Sequence, residues 1–115
     1  MDFSIEAVTS ETAVVQIGPT LDFKNASDFK SATRNQVGTG VRNFILDFSD
    51  TDVLDSTGLG SIFSLYRQLS RWSGKILFAS VSPAVEVVVL LTRTYKVFPT
   101  FPSVDSAREA VHASS

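Results

Sequence analysis

The middle of the chain carries side chains that could hold or receive charge: Asp47, Asp50, Asp52, Asp55, Ser56 and Thr57, followed by Gly58, Leu59 and Gly60. Three chemistries suit such a set. The carboxylates could hold a divalent cation, a hydroxyl could act as a nucleophile, or a serine at a helix start could accept a phosphate. The first fails on spacing, because a calcium loop needs acids at alternate positions, a central glycine and a distal glutamate. The second lacks a base: the chain has no cysteine, and its one histidine, His112, falls in the terminal segment. No catalytic residue, metal or cofactor is expected. Nor is there a phosphate loop, since Ser73-Gly74-Lys75 precedes a strand pattern, and Gly58 and Gly60 lack the third glycine of a dinucleotide fingerprint.

The elements that must position these residues can be read on either side of them. Val41, Phe44, Ile45, Leu46 and Phe48 form an apolar run that predicts a buried strand over residues 41–48. Leu59, Ile62, Phe63, Tyr66 and Leu69 recur at helical spacing and define the apolar stripe of a helix ending near Trp72. Between them Asp55, Ser56 and Thr57 favour the capping region, where a side-chain oxygen accepts a bond from an unpaired N–H of the first turn. Ser56 should therefore lie at the sheet rim, at the positive end of a helix dipole. That position suits a phosphate, and it equally suits an ordinary helix start. Gly58 and Gly60 cost about 0.8–1.0 kcal/mol each relative to Ala in a helix. With Ser61 and Ser64 they leave little side-chain cover, either for a close-approaching partner or for tight packing within the domain.

Elsewhere, residues 3–8 and 12–17 alternate around Thr9-Ser10-Glu11 and predict an antiparallel hairpin. Gly18-Pro19 stops it, and Asp22 or Asn25 can cap a helix running to about Val37, with Ala26, Phe29, Ala32 and Thr33 inward. Arg67 and Arg71 suit the negative end of the major helix. With Arg93 and Lys96 they read as scattered, solvated cations, and Trp72 and Tyr95 as partly buried aromatics at the core edge. Residues 76–81 form the next strand. Ser82-Pro83 is a helix start, although Val85, Val87, Val88 and Val89 have strand propensity. Residues 97–101 make a short edge strand interrupted by Pro99, and a last helix opens at residues 103–107 and frays into Ser114-Ser115. The alternation predicts an α/β fold: an N-terminal hairpin, then a mixed, mostly parallel sheet carrying about four helices.

At 115 residues, 43% hydrophobic and 19% charged, the chain is expected to be a single domain spanning residues 1–115. Its net charge of −2 argues against nucleic-acid binding, which needs a clustered positive surface. The absence of cysteine fits a cytoplasmic setting. No signal-peptide pattern opens the chain, and its apolar runs are too short for direct membrane insertion.

Asp55-Ser56-Thr57-Gly58-Leu59-Gly60 resembles the signature of anti-sigma factor antagonists of the STAS superfamily. Phe44-Ile45-Leu46-Asp47-Phe48-Ser49 is similar to that family's central strand. Val81-Ser82-Pro83-Ala84-Val85 resembles the start of its third helix, and residues 97–101 with 106–110 its last strand and closing helix. The resemblance implies a domain that binds an anti-sigma factor serine kinase and so releases sigma factor. The kinase would phosphorylate Ser56, with Thr57 as second choice, and a metal-dependent protein serine phosphatase would reverse it. The protein would be a substrate and switch in transcription regulation, not an enzyme. The partner surface implied comprises Asp22, Asp55, Ser56, Thr57, Gly58, Leu59, Gly60, Ser61 and Ser64. The alternative is a STAS scaffold or accessory subunit of a transporter or signalling assembly, in which Ser56 is only a cap. Two positions depart from the pattern: Pro19 stands where many members carry Gly, and Arg93 where they often have Gly after the third helix.

Overall fold

The period-two pattern of the central strands dictates how the layers are assembled. The computed structural model describes residues 3–113; Ser114 and Ser115, where the last helix was expected to fray, lie outside them. Strands β1 (Ser4–Ala7) and β2 (Thr12–Gln16) form the expected antiparallel hairpin. Then β2 pairs in parallel with β4 (Asn43–Asp47), β4 with β6 (Lys75–Ala79), and β6 with β7 (Thr100–Phe101). The sheet order is β1-β2-β4-β6-β7, which leaves the Pro99 segment at the edge as its missing N–H requires.

Alternate residues of the central strands point to opposite faces. Phe44, Leu46, Ile76 and Phe78 pack under helices α1 (Ala26–Gly38), α2 (Ser56–Ser70) and α3 (Pro83–Thr92). Ile45, Leu77 and Ala79 face the other way and meet Ala107 and Val111 of α4 (Val104–Ala113). Both faces of the middle strands are thus covered, which is why they read as continuous apolar runs. The ambiguous valine-rich segment is helical. Ser82 caps α3 by accepting from the Val85 N–H at 3.2 Å, and only Val85 and Val89 of its valines are buried.

Several expectations need correction. Two strands of two residues each, β3 (Thr20–Leu21) and β5 (Val53–Leu54), pair in parallel apart from the main sheet. The strand expected over 97–101 shrinks to its last two residues, preceded by a 3-10 turn at Thr94–Lys96. Asn25, the second of the two cap candidates, occupies the cap position of α1, but its side chain makes no capping bond. Its Oδ1 instead accepts from the Asp22 N–H at 2.9 Å and its Nδ2 donates to the Thr20 carbonyl at 2.9 Å. Trp72 and Tyr95 are exposed rather than tucked into the core edge.

The two glycines at the start of α2 differ in what stands opposite them, and only Gly58 is in tight packing. A Cβ on Gly58 would lie 2.1 Å from the Leu21 carbonyl oxygen, so this glycine lets α2 sit directly on β3. A Cβ on Gly60 would meet nothing within 4 Å. Gly58→Ala should therefore destabilise the domain by about 1–3 kcal/mol or more, because backbone must move. Gly60→Ala should stabilise it by about 0.8–1.0 kcal/mol through helix propensity alone. Denaturant unfolding of both variants checks the pair; equal effects would mean that the contact between α2 and β3 is misread. Arg93 ends α3 with a left-handed backbone, φ 57°, a conformation that costs a residue with a Cβ about 1 kcal/mol. Arg93→Gly should raise stability by roughly that amount in the same assay.

Candidate functional site

The site is built where two loops meet the start of α2. Asp55, rather than Ser56, is the N-cap: its Oδ1 accepts from the Gly58 N–H at 2.7 Å. Its other oxygen accepts from the Phe23 N–H at 3.1 Å, so one carboxylate ties α2 to the turn that leads into α1. The Asp55 N–H donates to the Leu21 carbonyl at 3.3 Å, continuing the pairing of β3 with β5. Ser56 is then the first helical residue. Its side chain is exposed, and it makes no hydrogen bond among the described residues. Thr57 is exposed beside it.

The loop in front of the helix is held from two sides. The buried Thr51 donates from Oγ1 to the Gly18 carbonyl at 2.7 Å, and its own carbonyl accepts from Ser82 Oγ at 2.6 Å. Asp52 N–H donates to the Pro19 carbonyl at 2.8 Å, so the Pro19 departure leaves this loop tied by a carbonyl that proline still possesses. Asp50 and Asp52 are exposed, and Asp50 Oδ2 accepts from Gln16 Nε2 at 3.3 Å. Among the described residues, no three His, Cys, Asp or Glu side chains converge as a metal site.

Ser56 lines one of two hollows at the start of α2, and Thr57 lines the other. On the α3 side, Leu54, Leu59, Phe63 and Val88 line a mostly apolar concavity of about 300 Å³. On the α1 side, Phe23, Lys30, Thr57, Ser64 and Arg67 line a more polar one of about 390 Å³. Gly60 borders both, which keeps the ridge between them low. Of the nine residues named from the sequence, Ser56, Thr57 and Gly60 are exposed, and Asp22, Asp55, Leu59 and Ser64 are half-buried. Gly58 and Ser61 are buried. The Ser61 hydroxyl donates to the Gly58 carbonyl at 2.5 Å, so these two shape the helix start from beneath instead of presenting side chains to solvent.

Sequence reasoning missed two features here. Phe23 is 69% exposed and sits at the tip of the turn that Asp55 anchors. Nothing in its immediate sequence distinguishes it from a core phenylalanine. Arg67 and Arg71, read as scattered, converge with Arg34 and Arg42 around a further hollow. Their meeting depends on the packing of α1 against α2 and is not visible in the linear spacing. His112 lies on α4, across the sheet from Ser56.

The family model for the STAS domain matches residues 4–107. An anti-sigma F factor antagonist from Lysinibacillus sphaericus is 26% identical over 89 residues, covering 76% of this chain and 76% of that protein. Among solved structures, the anti-sigma factor antagonist SpoIIAA in its unphosphorylated form superposes with a TM-score of 0.87 at 23% identity, covering 96% of each chain. The phosphorylated form of the Bacillus cell fate determinant SpoIIAA superposes with a TM-score of 0.77 at 22% identity, covering 95% of this chain and 98% of that one. These likenesses agree with the strand order and helix placement described above, and no helix among the described residues is long and apolar enough to cross a membrane. The chain belongs to the STAS domain family.

Proposed function

We propose that this protein is an anti-sigma factor antagonist whose binding to an anti-sigma factor serine kinase is switched off by phosphorylation of Ser56. The observation that carries the reading is the division of labour at the start of α2. Asp55 does the capping, so the Ser56 hydroxyl is exposed and is not used by the fold. The antagonist relative and the two described states of SpoIIAA support it. In this reading the protein is the kinase's substrate, a protein serine phosphatase resets it, and the domain performs no catalysis of its own.

The physics of the switch follows from placement. A phosphoserine adds about −1.5 to −2 charges at neutral pH. At the first helical residue it gains from the helix dipole, typically 0.3–1 kcal/mol, so the fold tolerates it. The same phosphate adjoins Asp55, whose second carboxylate oxygen holds the turn that carries exposed Phe23. Exposed apolar side chains around a serine suit a protein contact, and a dianion at its centre would have to lose its water to be covered. Exclusion of the partner, rather than unfolding, is the expected consequence.

The test uses wild type, Ser56→Ala and Ser56→Asp against the kinase partner. Because Asp55 supplies the cap, Ser56→Ala should change stability by no more than about 0.5 kcal/mol, resist phosphorylation and keep full affinity. Ser56→Asp should fold and bind at least about tenfold more weakly, a difference of about 1.4 kcal/mol. Isothermal titration of the three folded proteins decides between switch and scaffold: matching affinities would favour the scaffold.

A further inference from the structure

Helix α3 is apolar on two sides, and the fold buries only one of them. Val85 and Val89 are its buried residues. On the opposite side Pro83, Val87, Leu90 and Leu91 fall within about 100° of arc at 3.6 residues per turn. All four are exposed, Val87 at 55%, Leu90 at 56% and Leu91 at 80%. Apolar residues scattered singly over a surface need no explanation, but a contiguous stripe marks a contact. One flank of this stripe carries opposite charges at its two ends. Glu86 lies in the first turn and Arg93 just after the last helical residue, so both stand on the Leu90 side. About 10 Å of helix rise separates them, too far for them to pair with each other. Both are exposed, and neither side chain has a hydrogen bond or ion pair among the described residues.

We propose that this face binds a second copy of the chain, α3 against α3 in antiparallel orientation about a two-fold axis near Val89. A two-fold sets one patch against itself. In the antiparallel sense Glu86 of each copy meets Arg93 of the other, while Val87 and Leu91 exchange places across the axis. Flanking charges of this kind fix orientation where helices pair. A parallel pair would hold each charge level with its own copy and repel. On the charged flank Glu86, Leu90 and Tyr95 line a hollow of about 370 Å³, which can take the stem of the incoming arginine. The contact is small. A helix of 10 residues is about 15 Å long, so the pair buries well under the roughly 800 Å² per partner of a standard stable interface. The dimer is therefore weak and concentration-dependent. Val88, on the flank away from Glu86, lines the hollow at Ser56, so the proposal stands apart from the switch.

Sedimentation equilibrium of the full chain tests it. Between about 10 μM and 1 mM the average mass should climb from monomer towards dimer, with a Kd below about 1 mM. Leu91→Glu changes a solvent-exposed position, so the melting temperature should hold while self-association weakens at least about tenfold, because a charge would have to be covered. Glu86→Arg and Arg93→Glu should each weaken it at least about threefold: an exposed pair is worth little, but each change acts twice. An equimolar mixture of these two variants should associate more tightly than either alone, since every flank contact then joins opposite charges. A wild-type chain that stays monomeric at the top of the range overturns the proposal. So does a dimer untouched by Leu91→Glu, or a mixture no tighter than its components. A monomeric chain whose Leu91→Glu variant loses affinity for the kinase partner would assign the face to that partner and exclude the second copy.

Discussion

The start of α2 and the turn before α1 depend on one carboxylate. Asp55 uses one oxygen to cap α2 and the other to hold the Phe23 N–H, so the helix start and the turn before α1 move as one body. Charge-assisted bonds to backbone N–H groups are among the stronger ones a protein makes. Here the bond from Gly58 is half shielded from water and the one from Phe23 is exposed. The arrangement frees the next residue from structural duty, and a side chain without such duty can be covalently modified without loss of the fold. Asp55 thus holds the architecture and, under the switch proposed for Ser56, would add to the repulsion at the surface.

The contact between Gly58 and Leu21 complements that bond. A helix can approach a strand this closely only where no Cβ intervenes, and the Leu21 carbonyl occupies that space. The short strands β3 and β5 then form a small ledge beneath the helix N-terminus, tied through Thr51 to Ser82 and so to α3. The ledge fixes the direction in which α2 leaves the sheet. That direction places Ser56 on a ridge at one end and the arginine cluster at the other.

Much of this could be read from the chain. Strands β2, β4 and β6 and the hairpin were legible because alternation and apolar runs are properties of local sequence. The start of α3 was legible because Ser82-Pro83 is capping chemistry, even where the valines that follow argued otherwise. What escaped reading depends on contacts between distant segments. A two-residue strand such as β3 has no period to detect, so its pairing with β5 exists only in three dimensions. Asp55 and Ser56 both favour caps, and only geometry assigns the role to Asp55. Gly58 and Gly60 look alike in sequence and differ solely in what stands opposite them. The four arginines come from α1, α2, the turn just after α2 and the loop between α1 and β4.

The central claim is that phosphorylation at Ser56 changes surface charge while the Asp55 tie keeps the backbone in place. The most direct measurement is a backbone amide NMR spectrum of the uniformly labelled chain before and after phosphorylation by its kinase partner, with the modified residue mapped by mass spectrometry. The account predicts one phosphate on Ser56 and shifts confined to the helix start, the loop at residues 50–55 and the turn at Phe23. Phosphate on another residue, or shifts spread through β2, β4 and β6, would contradict it.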